Sequence, residues 1–188
     1  KIVAITGSAG KTTTCRAVTS LLAATSRGKV HSAAGNLNNA IGIPMVLLGL
    51  TEEHEYGVVE IGTNSRGEIA EGVRIAEPDV GVLTLVAGAH GEGIGTLEDI
   101  AWEKGAMFAG LGKDGIAVVN ADDCRAMGQV MRSEARDVIS YGVAESADLR
   151  LTNRKTIGTQ GQSLAFCIDM GRVSREFSVQ VPMLGDAG

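Results

Sequence analysis

The 188-residue chain has 44% hydrophobic and 21% charged residues, the balance of a globular domain with a sizeable core. Its formal net charge of −5 disfavours broad electrostatic binding to nucleic acid, and no run reaches the ~18 apolar residues of a membrane-spanning helix. Cys15, Cys124 and Cys167 are few, far apart and without metal-ligand spacing, as expected of reduced thiols in a cytoplasmic protein.

Val3, Ala4 and Ile5 open the chain as a buried strand. Gly7 and Gly10 then permit a tight turn, and Lys11, Thr12 and Thr13 start a helix on which Cys15, Val18 and Leu21/Leu22 recur at helical spacing. Short apolar runs at 56–62, 79–86, 115–123 and 137–142 read as further buried strands. A helix is expected near 97–110, with Thr96 as N-cap and Asp99 completing a capping box. From about 145 the pattern changes. Leu164, Phe166 and Ile168, and then Val173, Phe177, Val179 and Val181, alternate with small or polar residues, as in a half-buried antiparallel hairpin. The expected fold is α/β: a P-loop-type, mostly parallel, doubly wound sheet flanked by helices over 1–144, with a small antiparallel addition over 145–188. The chain starts inside a strand at Lys1 and ends in a loop-like stretch, so an excised domain is expected. No signal peptide is expected.

The segment TGSAGKTT (6–13) carries the clearest chemistry. A helix start offers unpaired N–H groups and a partial positive charge, which attract anions. The general phosphate-loop pattern would need glycine where Ile5 stands, so Gly7 makes a shorter loop. The mechanism survives: backbone N–H groups of Gly7, Ser8, Ala9 and Gly10 can cradle phosphates, Lys11 can reach the outer ones, and the Thr12 hydroxyl can hold Mg²⁺. Glu60 ends an apolar strand, where a buried acid needs a partner, and in a nucleotide site that partner would be Mg²⁺. His90 follows another strand, at the rim where such sheets bind ligands. Lys104, Glu92, Glu98 and Glu103 would by themselves be solvated charges. Loop 33–44 holds Asn36, Asn38 and Asn39, which suit either turns or substrate contact. Asn120, in NADD, either lines a nucleotide site or makes a strand-end turn.

These segments, with GNLNNAIGIP, EIGTNSRGEI and AGAHGEGIGTLEDIAWEKGAMF, resemble the central ATP-binding domain of the Mur ligases, which build the peptide stem of bacterial peptidoglycan. The first two of these look most like the branch that joins D-alanyl-D-alanine to UDP-N-acetylmuramoyl-tripeptide. The resemblance implies that Gly7 to Thr13 hold the ATP phosphates, that Thr12 and Glu60 bind one Mg²⁺ and His90 a second, and that Lys104 is carbamylated and joins the metal site. It further implies amide synthesis through an acyl phosphate, with Lys11, Glu60, His90 and Lys104 as catalytic groups, Asn120 near the nucleotide, Asn36 and Asn39 near substrate, and flanking domains before and after. Such an isolated domain is expected to bind nucleotide weakly and not to turn over. Two rivals stand beside this: another amide ligase of the superfamily, such as a folylpolyglutamate synthase, and a phosphate-loop switch. The second usually reads guanine through Asn-Lys-x-Asp, which is missing here.

Overall fold

The structure, a computed structural model, describes residues 1–33, 37–88, 93–157, 162–169 and 174–181. Strand β1 (Ile2–Thr6) leads through a four-residue loop into helix α1 (Lys11–Thr25). There follow β2 (Val30–Ser32), α2 (Gly42–Leu48), β3 (Tyr56–Glu60), α3 (Glu68–Ala76), β4 (Val80–Leu83) and α4 (Leu97–Ala109). Then come β5 (Ile116–Asn120), α5 (Cys124–Gln129), a 3-10 turn (Val130–Arg132) and β6 (Asp137–Gly142). Strands β7 (Leu149–Thr156), β8 (Gln162–Asp169) and β9 (Ser174–Val181) complete the described chain.

The strands form one sheet in the order β2-β3-β1-β4-β5-β6-β7-β8-β9. Pairing is parallel from β2 to β7, where Tyr141 and Gly142 meet Leu149 and Arg150, and antiparallel across β7-β8-β9. The expected parallel sheet with an antiparallel addition is therefore what forms. From β1 the chain goes to β2 and β3 on one side and to β4, β5 and β6 on the other, so the exit of β1 lies at the topological switch point, where open α/β sheets bind ligands.

Strand side chains alternate between faces, and so the sheet has two cores. Ala4, Val59, Leu83 and Val119 face α2, α3 and α4, where Ile43, Ile69, Val73, Met107 and Phe108 are buried. Val3, Ile5, Val58 and Val82 face α1, which supplies Cys15, Val18 and Leu22. Leu21, grouped with that stripe in the sequence, points outward at 69% exposure. Helix α4 begins as expected: Thr96 Oγ1 accepts from Asp99 N–H, and the Asp99 carboxylate accepts from Thr96 N–H at 2.9 Å. The last hairpin is less buried than its alternation implies. Residues 174–180 of β9 are exposed, and Phe177 stacks on Phe166 with ring centroids 5.3 Å apart. No described helix is long and apolar enough to cross a membrane.

Candidate functional site

The loop after β1 owes its shape to two glycines and to β4. Gly7 has φ +149°, and a Cβ there would lie 1.9 Å from Thr84 Oγ1. Gly10 has φ +79° in more open space and precedes the first residue of α1. No side chain caps α1 and no acid sits in its first turn, which leaves its leading N–H groups without a side-chain acceptor, the condition under which a helix start can take an anion. Four contacts strap the loop to the exit of β4, one of them Ala87 N–H donating to Ser8 Oγ at 2.9 Å. Ser8 N–H donates to Leu85 O (2.9 Å), Ser8 Oγ donates to Ala87 O (2.8 Å), and Thr84 Oγ1 donates to Ala9 O (2.6 Å). Lys11 Nζ curls back to Gly7 O (2.8 Å), across the mouth of the loop, and Thr13 is exposed beyond it.

Thr12 and Glu60 are 48 residues apart in the chain and meet because β1 and β3 are parallel neighbours. Thr12 Oγ1 donates to Glu60 Oε2 at 2.7 Å. Glu60, 8% exposed, also accepts at Oε1 from Asn38 Nδ2 at 2.8 Å. The pair borders a cleft of about 360 Å³ between α1 and β3, lined also by Cys15, Arg16, Ser32 and Val58. Burial pushes the Cys15 thiol up to about 12, helped by the Glu60 charge and opposed by Lys11. A second cleft, about 290 Å³, lies farther along the same rim and is lined by Asn120, Asp122, Tyr141, Leu149, Leu164 and Phe166.

The other expected site residues divide. Asn36 and His90, with Glu92, lie outside the described residues. Asn39 turns the chain into α2: its Oδ1 accepts from Ile41 N–H (3.1 Å) and Gly42 N–H (2.8 Å). Asn120 makes the strand-end turn, Oδ1 accepting from Asp122 N–H at 3.0 Å, while facing the second cleft. Glu98 is a surface acid paired with Arg125, as its default reading holds. Lys104 and Glu103 are not solvated: they are 1% and 6% exposed, because α4 packs on the sheet with α3 on one flank and α5 and the 3-10 turn on the other. The Glu103 carboxylate accepts from Gly67 N–H (2.7 Å) and Ile69 N–H (2.9 Å), capping α3 from another helix. Two residues escaped the sequence reading. Asn38 stood among three asparagines with nothing to single it out. Asp123, which accepts from Val86 N–H at 2.5 Å and caps α5, had only its strand-end position as a signal.

With this geometry, comparison with known proteins is specific. The family model described as Mur ligase middle domain matches residues 5–187. The UDP-N-acetylmuramoyl-tripeptide–D-alanyl-D-alanine ligase of Escherichia coli strain K12 is 45% identical over 123 residues, covering 65% of this chain and 27% of that enzyme. The ligase of the same description from Buchnera aphidicola subsp. Baizongia pistaciae is 30% identical over 184 residues, covering 98% and 38%. The chain thus spans well under half the length of these curated relatives. Among solved structures, MurF ligase from Thermotoga maritima in complex with ADP aligns with TM-score 0.81 and 30% identity over 96% of this chain and 40% of that one. An FPGS–AMPPCP complex, 18% identical with TM-score 0.66 over 99% of this chain and 55% of that one, shares the fold alone. A glycine loop at the switch point, a threonine–glutamate pair beneath it and a family match over nearly the whole length lead to one conclusion: the chain belongs to the Mur ligase middle-domain family.

Proposed function

We propose that this chain is the central, nucleotide-binding domain of an ATP-dependent ligase that joins D-alanyl-D-alanine to UDP-N-acetylmuramoyl-tripeptide. Residues 1–144 would form its parallel core and 145–188 its antiparallel extension, with flanking domains holding the sugar nucleotide and closing over ATP and the amine. The observation that carries this is the Thr12–Glu60 contact at the foot of α1, beside the glycine loop and a helix start with no side-chain cap.

A carboxylate is a poor electrophile, since its leaving group would be oxide. The reaction makes it one by moving the γ-phosphoryl of ATP onto a carboxylate oxygen of the tripeptide. The amine of D-alanyl-D-alanine then attacks the acyl carbon, and the C–O bond to phosphate breaks. In this chain, N–H groups of residues 7 and 9–13 receive the phosphates, Ser8 N–H being already given to Leu85 O, and Lys11 swings from Gly7 O to the outer ones. Thr12 and Glu60 are hard oxygen donors of the kind Mg²⁺ takes alongside nucleotide phosphates and water. That cation, when bound, offsets the charge that keeps a carboxylate away from a triphosphate. His90 would serve a second such ion. Lys104 would join it as a carbamate, an anion in place of an ammonium that is costly to bury; its 1% exposure supports a role inside the domain. Asn120 would border the nucleotide, where the second cleft opens. Asn36 and Asn39 would contact the tripeptide substrate; the Oδ1 of Asn39 already serves the α2 turn, which leaves its Nδ2 for that contact.

The test is ADP release by the complete ligase. It should require both the tripeptide nucleotide and D-alanyl-D-alanine, and ¹⁸O from the tripeptide carboxylate should appear in the phosphate released. ADP release that ignores the amine, or a preference for glutamate over D-alanyl-D-alanine, would overturn the reading.

A further inference from the structure

Building on that reading, we infer that Asn38 is a positioning residue for Glu60, fixing the carboxylate so that one oxygen faces Thr12 and the cation. The two carboxylate oxygens have separate donors: Thr12 Oγ1 on Oε2 at 2.7 Å and Asn38 Nδ2 on Oε1 at 2.8 Å. Thr12 is itself a cation ligand in the proposed site: its oxygen can ligate through a lone pair while its O–H goes on donating to Oε2. Asn38 holds the other oxygen, so the two donors together fix the rotation of the carboxylate.

Asn38 is well placed for this. Its carbonyl accepts from Gly62 N–H at 2.8 Å, just past the end of β3, and the next residue, Asn39, starts the turn into α2. Gly62 leaves room for the amide: a Cβ there would lie 3.0 to 3.3 Å from the Cγ, Nδ2 and Oδ1 of Asn38. Backbone and side chain of one residue thus grip the exit of β3 at two points. The choice of side chain also fits. A lysine or arginine here would orient Glu60 but neutralise it and repel the cation. A neutral amide orients the carboxylate and leaves its charge intact, as outer groups around metal ligands do.

The test compares wild-type ligase with Asn38→Ala, reading Mn²⁺ affinity by electron paramagnetic resonance in the presence of β,γ-methylene-ATP. Nucleotide affinity without metal and the Mg²⁺ dependence of kcat are read in parallel. Asn38→Ala should weaken Mn²⁺ binding roughly tenfold, the scale of lost outer-sphere contacts. Metal-free nucleotide binding should be unchanged, and kcat should recover at high Mg²⁺. A purely structural anchor would lower all three together. Gly62→Ala, which crowds the Asn38 amide without removing it, should show the same pattern more weakly, and it carries the test if Asn38→Ala does not fold. Mn²⁺ affinity within twofold of wild type in a folded variant overturns the inference alone. Wild-type enzyme that binds no metal–nucleotide overturns the function proposed above as well.

Discussion

Replacing Gly7 by alanine tests whether the glycine loop is held by its contact with β4. The new Cβ would stand 1.9 Å from Thr84 Oγ1 and 3.2 Å from Leu85 N, in a backbone with φ +149° that side chains rarely adopt. The backbone term alone is about 1–3 kcal/mol. Driving Thr84 Oγ1 away also breaks the bond that its single hydroxyl hydrogen makes to Ala9 O at 2.6 Å, at about 1 kcal/mol. Gly7→Ala should therefore lose about 2–4 kcal/mol in urea unfolding, a large share of a typical stability. Gly10→Ala, with φ +79° and its nearest neighbour at 4.0 Å, should lose only the backbone term of about 1–2 kcal/mol. Thr84→Ala removes the clashing atom, so Gly7→Ala in that background should cost about 1 kcal/mol less than in wild type. Additive losses, or a Gly7→Ala cost no greater than that of Gly10→Ala, would refute the argument.

Cys15, with its thiol pushed up to about 12, should react with iodoacetamide at pH 8 far more slowly than exposed Cys124, and Glu60→Gln should speed it by removing a raising charge; peptide mapping of the alkylated protein checks both. Burial, then the charges of Asp122 and Asp123, push Tyr141 up to about 12 from the ordinary value near 10. The folded state thus keeps a proton the unfolded chain has lost, and stability should fall between pH 10 and 12 by roughly 2–3 kcal/mol. Unfolding curves of wild type and Tyr141→Phe over that range should converge accordingly. Glu103→Ala should cost about 3 kcal/mol in urea unfolding, since it strands two N–H groups at the start of α3 that the carboxylate now serves.

The sequence shows most clearly those elements whose burial is uniform. Strands β1, β3, β4 and β5 are buried in the middle of the sheet and stand out as apolar runs, and α4 declares its start through Thr96 and Asp99. Strand β2 is three residues long, and β7 reads LRLTNRKT with its second half exposed, so neither carries an apolar stripe. Helix α2 begins within a loop-like stretch and has Pro44 in its first turn, which hid it. At the site, TGSAGKT was legible because its chemistry is local. Asn38 on Glu60 and Glu103 on α3 were not, since each bond joins residues far apart in the chain and nothing in either neighbourhood announces the partner. Lys104 and Glu103 show the same limit from the other side: a charged pair on a helix reads as solvated until another helix is laid across it.

The straps between the loop and β4 continue sideways. Thr84 O accepts from Tyr141 Oη at 3.2 Å and Val86 N–H donates to Asp123, so the exits of β4, β5 and β6 are laced to the same loop that would greet the triphosphate. A receptor whose loop is tied in place beforehand gives up less freedom on capture, so less of the contact energy goes into ordering the chain. The same lacing runs on through Tyr141 and Gly142, which pair with Leu149 and Arg150, so a continuous run of hydrogen bonds joins the glycine loop to the entrance of the outlying hairpin.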